Sequence, residues 1–146
     1  METESLDILL VEDNINDAEL TLRALGRNPG IKHFKHLRNG EEAINFIFGR
    51  GEYRDRNVNQ LPKLIVLDLK MPKVDGLEVL REVRQNPITQ SIPVVMLTSS
   101  RENKDLLESY RLGINSYVVK PLDYEDYEVT VAQIVSYWVK LNQFPF

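Results

Sequence analysis

The sequence predicts an α/β protein, a doubly wound five-stranded parallel sheet with helices on both faces. Three observations carry this. Five short apolar segments alternate with five longer segments of helical periodicity, the pattern of repeated βαβ units. Leu64-Ile65-Val66-Leu67 and Pro93-Val94-Val95-Met96-Leu97 are nearly unbroken apolar runs, as expected of strands covered on both faces. Four of the five segments end in an acid, a hydroxyl or an ammonium, and open α/β sheets gather their chemistry at the carboxyl ends of strands.

Leu6 to Val11 is the first strand, and Glu12-Asp13-Asn14 is a turn. Asn16 or Asp17 is positioned to cap a helix to about Arg27, with Ala18, Leu22 and Leu25 on its inner face. Asn28-Pro29-Gly30 stops it, and Ile31 to Leu37 alternates as a second strand. Asn39-Gly40 turns the chain into a short helix, Glu41 to Phe48, which Gly49-Arg50-Gly51 ends. Glu52 to Pro62 is polar and aperiodic, an exposed loop longer than most βα connections. After the strand that ends at Asp68, Asp75-Gly76 opens a helix carrying Leu77, Leu80 and Val83, which stops before Pro87. The fourth strand, Ile92 to Leu97, leads into Thr98-Ser99-Ser100. Glu102 to Leu112 is a helix with Gly113 behind it as the C′ residue. Ser116 to Val119 is the fifth strand, followed by Lys120-Pro121 and a last helix from about Asp123 to Leu141.

Composition bounds the chemistry. The 146 residues suit one domain with a real core, and no repeat or second domain is visible. A net charge of −4 and the absence of a basic run speak against nucleic-acid binding. No stretch is long and apolar enough for a bilayer, and no signal-peptide pattern is present, so a cytoplasmic protein is expected. Without cysteine there is no disulfide, thiolate metal site or cysteine catalysis. His33 and His36 are too few for a typical zinc site, and both read as surface residues.

The strand ends bring together Glu12 and Asp13, Asp68, Thr98 and Lys120. Clustered carboxylates repel and call for a cation. An oxygen-only donor set points to Mg²⁺, which keeps positions open for phosphate oxygens. The lysine adds a fixed positive charge and the threonine a hydrogen-bond donor. An aspartate can attack phosphorus and form an acyl phosphate, and phosphoryl transfer needs the positioning and neutralisation that such a set provides.

Taken together and in order, Val11-Glu12-Asp13, Leu67-Asp68-Leu69-Lys70-Met71-Pro72 with Asp75-Gly76, Pro93 to Thr98, and Tyr117-Val118-Val119-Lys120-Pro121 resemble the receiver domain of two-component response regulators over essentially the whole chain. The resemblance implies a flavodoxin-like sheet in the order 2-1-3-4-5 and a single receiver domain over 1–146, with a tail at about 142–146 and no output domain. It implies that Asp68 is the phosphoacceptor. Asp13, Asp68 and the backbone carbonyl of Lys70 then hold Mg²⁺, with Glu12 acting through water. Thr98 is the switch hydroxyl, Tyr117 the switch aromatic and Lys120 the phosphate-pairing lysine, with a cis Lys120–Pro121 bond. The protein then acts as a substrate of a sensor histidine kinase rather than as a turnover enzyme, and signals by protein contact.

A narrower resemblance adds to this. The long loop before the Asp68 strand, Thr98-Ser99-Ser100, Tyr110-Arg111-Leu112-Gly113 and the tail from Trp138 to Phe146 resemble the small stand-alone regulators paired with bacterial phytochrome histidine kinases. The last helix supports a related expectation on physical grounds. Its apolar residues cover more than the one stripe that a helix on a sheet needs. That excess predicts a homodimer through the fourth and fifth helices, with Ile134, Val135, Trp138 and Tyr110 at the interface.

Two rival readings are a phosphatase using an aspartyl phosphate, and a receiver-like interaction or phosphorelay module not tied to a phytochrome. Such phosphatases need a second aspartate two residues after the nucleophile as general acid, and that position is Lys70.

Overall fold

The computed structural model describes residues 6–146. The elements alternate without exception: β1 (Ile8–Val11), α1 (Ile15–Gly26), β2 (Phe34–Leu37), α2 (Gly40–Phe48), β3 (Leu64–Leu67), α3 (Gly76–Gln85), β4 (Val94–Thr98), α4 (Asn103–Arg111), β5 (Ser116–Val119) and α5 (Tyr124–Val135). All ladders are parallel, and the sheet order is β2-β1-β3-β4-β5. This is the flavodoxin-like order that the sequence implied.

The pleat divides the core. Leu9, Val11, Ile65, Leu67, Val94 and Met96 face α2 and α3, where Ala43, Ile47, Val79, Leu80 and Val83 meet them. Ile8, Leu10, Leu64, Val66, Val95 and Leu97 face the opposite layer, α1 and α5, and pack on Leu25, Tyr127, Val131, Ile134 and Val135. The three central strands are buried on both faces, which is why their sequences run apolar without alternation. Helix α4 differs from its neighbours: its buried side chains are Asp105 and Ser109, both polar.

Several boundaries differ from expectation. The cap of α1 is Asn14, which has an extended backbone and whose side-chain oxygen accepts the Asp17 N–H at 3.0 Å. Strand β2 starts only at Phe34, because the Asp7 carboxylate takes the backbone N–H groups of Lys32 and His33, at 2.8 and 3.1 Å. The 52–62 loop is packed rather than merely exposed. Tyr53 stands edge-on to Phe46 at 5.1 Å, and Arg56 lies over the Phe46 ring while donating to the carbonyls of Phe46 and Gln60. Helix α5 is regular to Val135 and then widens into a π-type turn, Ser136–Leu141.

One glycine is demanded by close approach. A Cβ on Gly76 would lie 2.3 Å from the Asp68 carbonyl oxygen and 2.9 Å from Leu69 Cα. The Gly76 N–H donates to Leu69 O at 2.9 Å, so α3 starts in direct backbone contact with the end of β3.

Candidate functional site

Sheet register assembles the site. Val11 pairs with Leu67, so Glu12 and Asp68, each the next residue, lie side by side. Thr98 pairs with Val119, and the Lys120 N–H donates to Thr98 O at 2.7 Å, which brings the lysine to the same edge. Asp13, Asn14, Asp17, Asp68, Lys70, Thr98, Ser99 and Lys120 line a cavity of about 330 Å³ at this edge. Asp13, Glu12, Asp68, Thr98 and Lys120 thus converge as the strand ends implied.

Lys120 is the electrostatic centre. Its ammonium is 2.7 Å from Glu12 Oε1, 2.7 Å from Asp17 Oδ2 and 3.5 Å from Asp68 Oδ2, and it is buried. Burial acts to lower its pKa, but the hydrogen bonds it donates to Asp17 and Glu12 and the charge of Asp68 outweigh burial and raise it, so the lysine stays charged. The Lys120–Pro121 bond is trans, not cis as expected, since no described peptide bond is cis. Three carboxylate partners orient the lysine instead.

Glu12, Asp13 and Asp68 each offer a carboxylate oxygen within 4.8 Å of the others. Glu12 is pushed up to about 8, first by burial and then by the neighbouring Asp68 charge, with Lys120 opposing both. Acids crowded beyond what one lysine neutralises, with oxygen donors alone, fit a hard divalent cation. Such a cation has to displace the Glu12 proton. Affinity for Mn²⁺, followed by titration at constant ionic strength, is therefore expected to strengthen from pH 6 to pH 8 and then level off.

The switch candidates are linked through one residue. Thr98 is fully buried, and its hydroxyl oxygen accepts the Ser100 N–H at 3.2 Å. The half-buried Tyr117 donates its hydroxyl to the Ser100 carbonyl at 3.0 Å. Ser100 Oγ donates to Asp105 Oδ2 at 2.5 Å. The Ser100 hydroxyl and, after the opposing effect of burial, the Lys70 ammonium at 3.3 Å hold the Asp105 carboxyl below its ordinary range.

Sequence reasoning missed Asp17 and Asp105. Asp17 lies in the first turn of α1, four residues after Asp13, and that closeness to the acidic pair was its available signal. The dimer residues divide. Ile134 and Val135 are buried in the chain's own core, because α5 spends them on the sheet. Trp138 is half-buried against the same core, and Tyr110 is 52% exposed.

A phosphoryl-transfer pocket at the carboxyl edge of a 2-1-3-4-5 sheet defines the class. Residues 8–132 match the family model of the response regulator receiver domain, and the chain belongs to that family. It is a phosphoryl-accepting signalling switch of the two-component type. The chain is 39% identical over 138 residues to the response regulator Rcp1 of Synechocystis sp. (strain ATCC 27184 / PCC 6803 / Kazusa), covering 94% of this chain and 92% of that one. It is equally identical, over 138 residues, to the probable methanogenesis regulatory protein FilR2 of Methanothrix harundinacea (strain 6Ac), covering 94% of this chain and 86% of that one. Among solved structures, the phosphorylated cyanobacterial phytochrome response regulator RcpA superposes with a TM-score of 0.90 at 34% identity, over 98% of this chain and 100% of its own. The Mn²⁺-bound form of Rcp1 superposes with a TM-score of 0.89 at 38% identity, over 97% and 99%. Among the described residues, no helix is long and apolar enough to cross a membrane.

Proposed function

We propose that Asp68 takes a phosphoryl group from a phosphohistidine of a sensor histidine kinase, a bacterial phytochrome, and that the phosphorylated chain signals in the cytoplasm through protein contact. The observation that carries this reading is the Lys120 ammonium, held by Glu12 and Asp17 at 3.5 Å from the Asp68 carboxylate. An oxygen of Asp68 attacks phosphorus, the P–N bond breaks, and the electron pair leaves on the imidazole. Lys120 stands ready to pair with the phosphoryl oxygens. Asp13, Asp68, the Lys70 carbonyl and, through water, Glu12 are the residues to hold Mg²⁺, which supplies further neutralisation of the transferring group. The phytochrome pairing is supported by the likeness to Rcp1 and RcpA.

Phosphorylation adds about −1.5 to −2 charge and three acceptor oxygens. Thr98 turns its hydroxyl to the phosphoryl group and gives up the Ser100 N–H, and Tyr117 follows inward. The α4–β5–α5 surface changes shape, and a partner that binds the two shapes differently is the output. Incubation with acetyl phosphate and Mg²⁺ tests the reading: intact mass rises by one phosphoryl group in the wild type and not in Asp68→Asn. A gain that survives the substitution overturns it.

The same surface is proposed to bring two copies together. Leu107 and Tyr110 on α4 and Val129 on α5 are more than half exposed, as are Tyr137 and Leu141 in the turn beyond it. Light scattering at tens of micromolar is expected to give the mass of a dimer, and Tyr110→Asp to lower it toward that of a monomer. A wild-type monomer with and without acetyl phosphate contradicts the proposal.

A further inference from the structure

Helix α4 is anchored at its first turn by a charge rather than by apolar packing. Asp105 is 6% exposed and carries no apolar role; its Oδ2 receives both the Ser100 hydroxyl and the Lys70 ammonium. Lys70 follows Asp68 by two residues and lines the same cavity as Asp68, Thr98 and Lys120. Its one ion pair among the described residues is nevertheless with Asp105, not with the acids of the cavity. Four acids, Glu12, Asp13, Asp17 and Asp68, thus meet a single committed ammonium, Lys120, while a second ammonium at the rim is held aside.

We propose that Asp105 is a positioning residue of the acceptor pocket, whose buried carboxylate holds the Lys70 ammonium away from the pocket mouth and so keeps the phosphoryl group on Asp68 open to water. This rests on Asp68 being the acceptor. Hydrolysis requires a water oxygen to bond to phosphorus as the P–O bond to Asp68 breaks, with the electron pair returning to the carboxylate and the proton going to solvent. An ammonium released from Asp105 pairs with the nearest uncompensated anion, the phosphoryl oxygens, and fills the space through which that water enters. Holding Lys70 on Asp105 therefore shortens the life of the phosphorylated state.

Four proteins test this: wild type, Lys70→Ala, Asp105→Asn and the double variant. Each is phosphorylated with acetyl phosphate and Mg²⁺, desalted into Mg²⁺ buffer, and followed by intact mass as the phosphoryl group is lost. Asp105→Asn is expected to lengthen the half-life at least about threefold, an effect that disappears in the double variant, since additivity fails for residues acting through one contact. Lys70→Ala removes only the side chain and keeps the backbone carbonyl assigned to Mg²⁺, and its half-life is expected to stay within about twofold of the wild type, because the ammonium is already held aside; this arm alters an exposed side chain and does not depend on how Asp105→Asn folds. A merely structural role for Asp105 gives the same change with and without Lys70, and that result overturns the inference. A Lys70→Ala half-life changed more than about threefold also overturns it. Absence of any Asp68-dependent mass gain in the wild type overturns the reading of Asp68, and this inference with it, whereas a normal gain with four equal half-lives overturns this inference alone.

Discussion

Lys120→Met is expected to lose phosphoryl acceptance and to destabilise the fold by about 3–5 kcal/mol, the scale for removing one partner of a buried ion pair. The ammonium faces Glu12, Asp17 and Asp68, and a thioether of similar length compensates none of them. The cost depends on pH. Glu12 is already pushed up to about 8 by burial and by Asp68, against the opposing pull of Lys120. Without the lysine, the folded variant holds the Glu12 proton to still higher pH, while the unfolded chain releases it near the ordinary 4.5. Above that value the folded state binds more protons than the unfolded state, so the stability of the variant falls as pH rises. Below about pH 8 the folded wild type holds the Glu12 proton as well, so thermal melts in metal-free buffer are expected to show a wild-type-to-variant gap that is wider at about pH 9.5 than at about pH 7. An equal gap at both pH values contradicts this account of the cluster.

Gly76→Ala is expected to damage both stability and acceptance, although the residue carries no chemistry. The added methyl meets the Asp68 carbonyl oxygen and Leu69 Cα, which are backbone atoms without freedom to turn aside. Relief requires α3 to retreat from β3, breaking the contact that holds Asp68 at the sheet edge. Overpacking of this kind costs about 1–3 kcal/mol. Gly26→Ala is the control, since its Cβ meets nothing within 4 Å at the end of α1. It is expected to be neutral or to stabilise by up to about 1 kcal/mol. Chemical denaturation of both variants, with acetyl phosphate labelling of each, checks the pair. A Gly76→Ala protein as stable and as readily labelled as the wild type contradicts the close-packing argument.

The elements of the sheet were legible because two-sided burial writes itself directly into sequence as apolar runs. The strand ends were legible because register follows once the sheet is parallel, which is how Glu12, Asp13, Asp68, Thr98 and Lys120 could be brought together without coordinates. What was not legible depended on competition between equivalent groups. Asn14, Asn16 and Asp17 can each cap a helix, and the choice of Asn14 frees Asp17 to bind Lys120. Strand β2 lost its first residues to the Asp7 carboxylate, a contact across 25 residues with no local signature. Asp105 reads as an ordinary acid in the first turn of a helix. Only the fold shows that it is buried and shared by Ser100 and Lys70. The excess of apolar residues on the last helix was real, but part of it serves the chain's own core: Ile134 and Val135 are spent there, leaving Val129, Tyr137 and Leu141 outside.

The central claim concerns one carboxylate among four. Reduction of an acyl phosphate with borohydride converts the phosphorylated aspartate to homoserine, and tandem mass spectrometry places that change on a residue. After labelling with acetyl phosphate and Mg²⁺, homoserine is expected at position 68, with Asp13 and Asp17 unchanged. Homoserine at either of those positions, or none anywhere in a protein that has gained a phosphoryl group, contradicts the assignment of Asp68 as the acceptor.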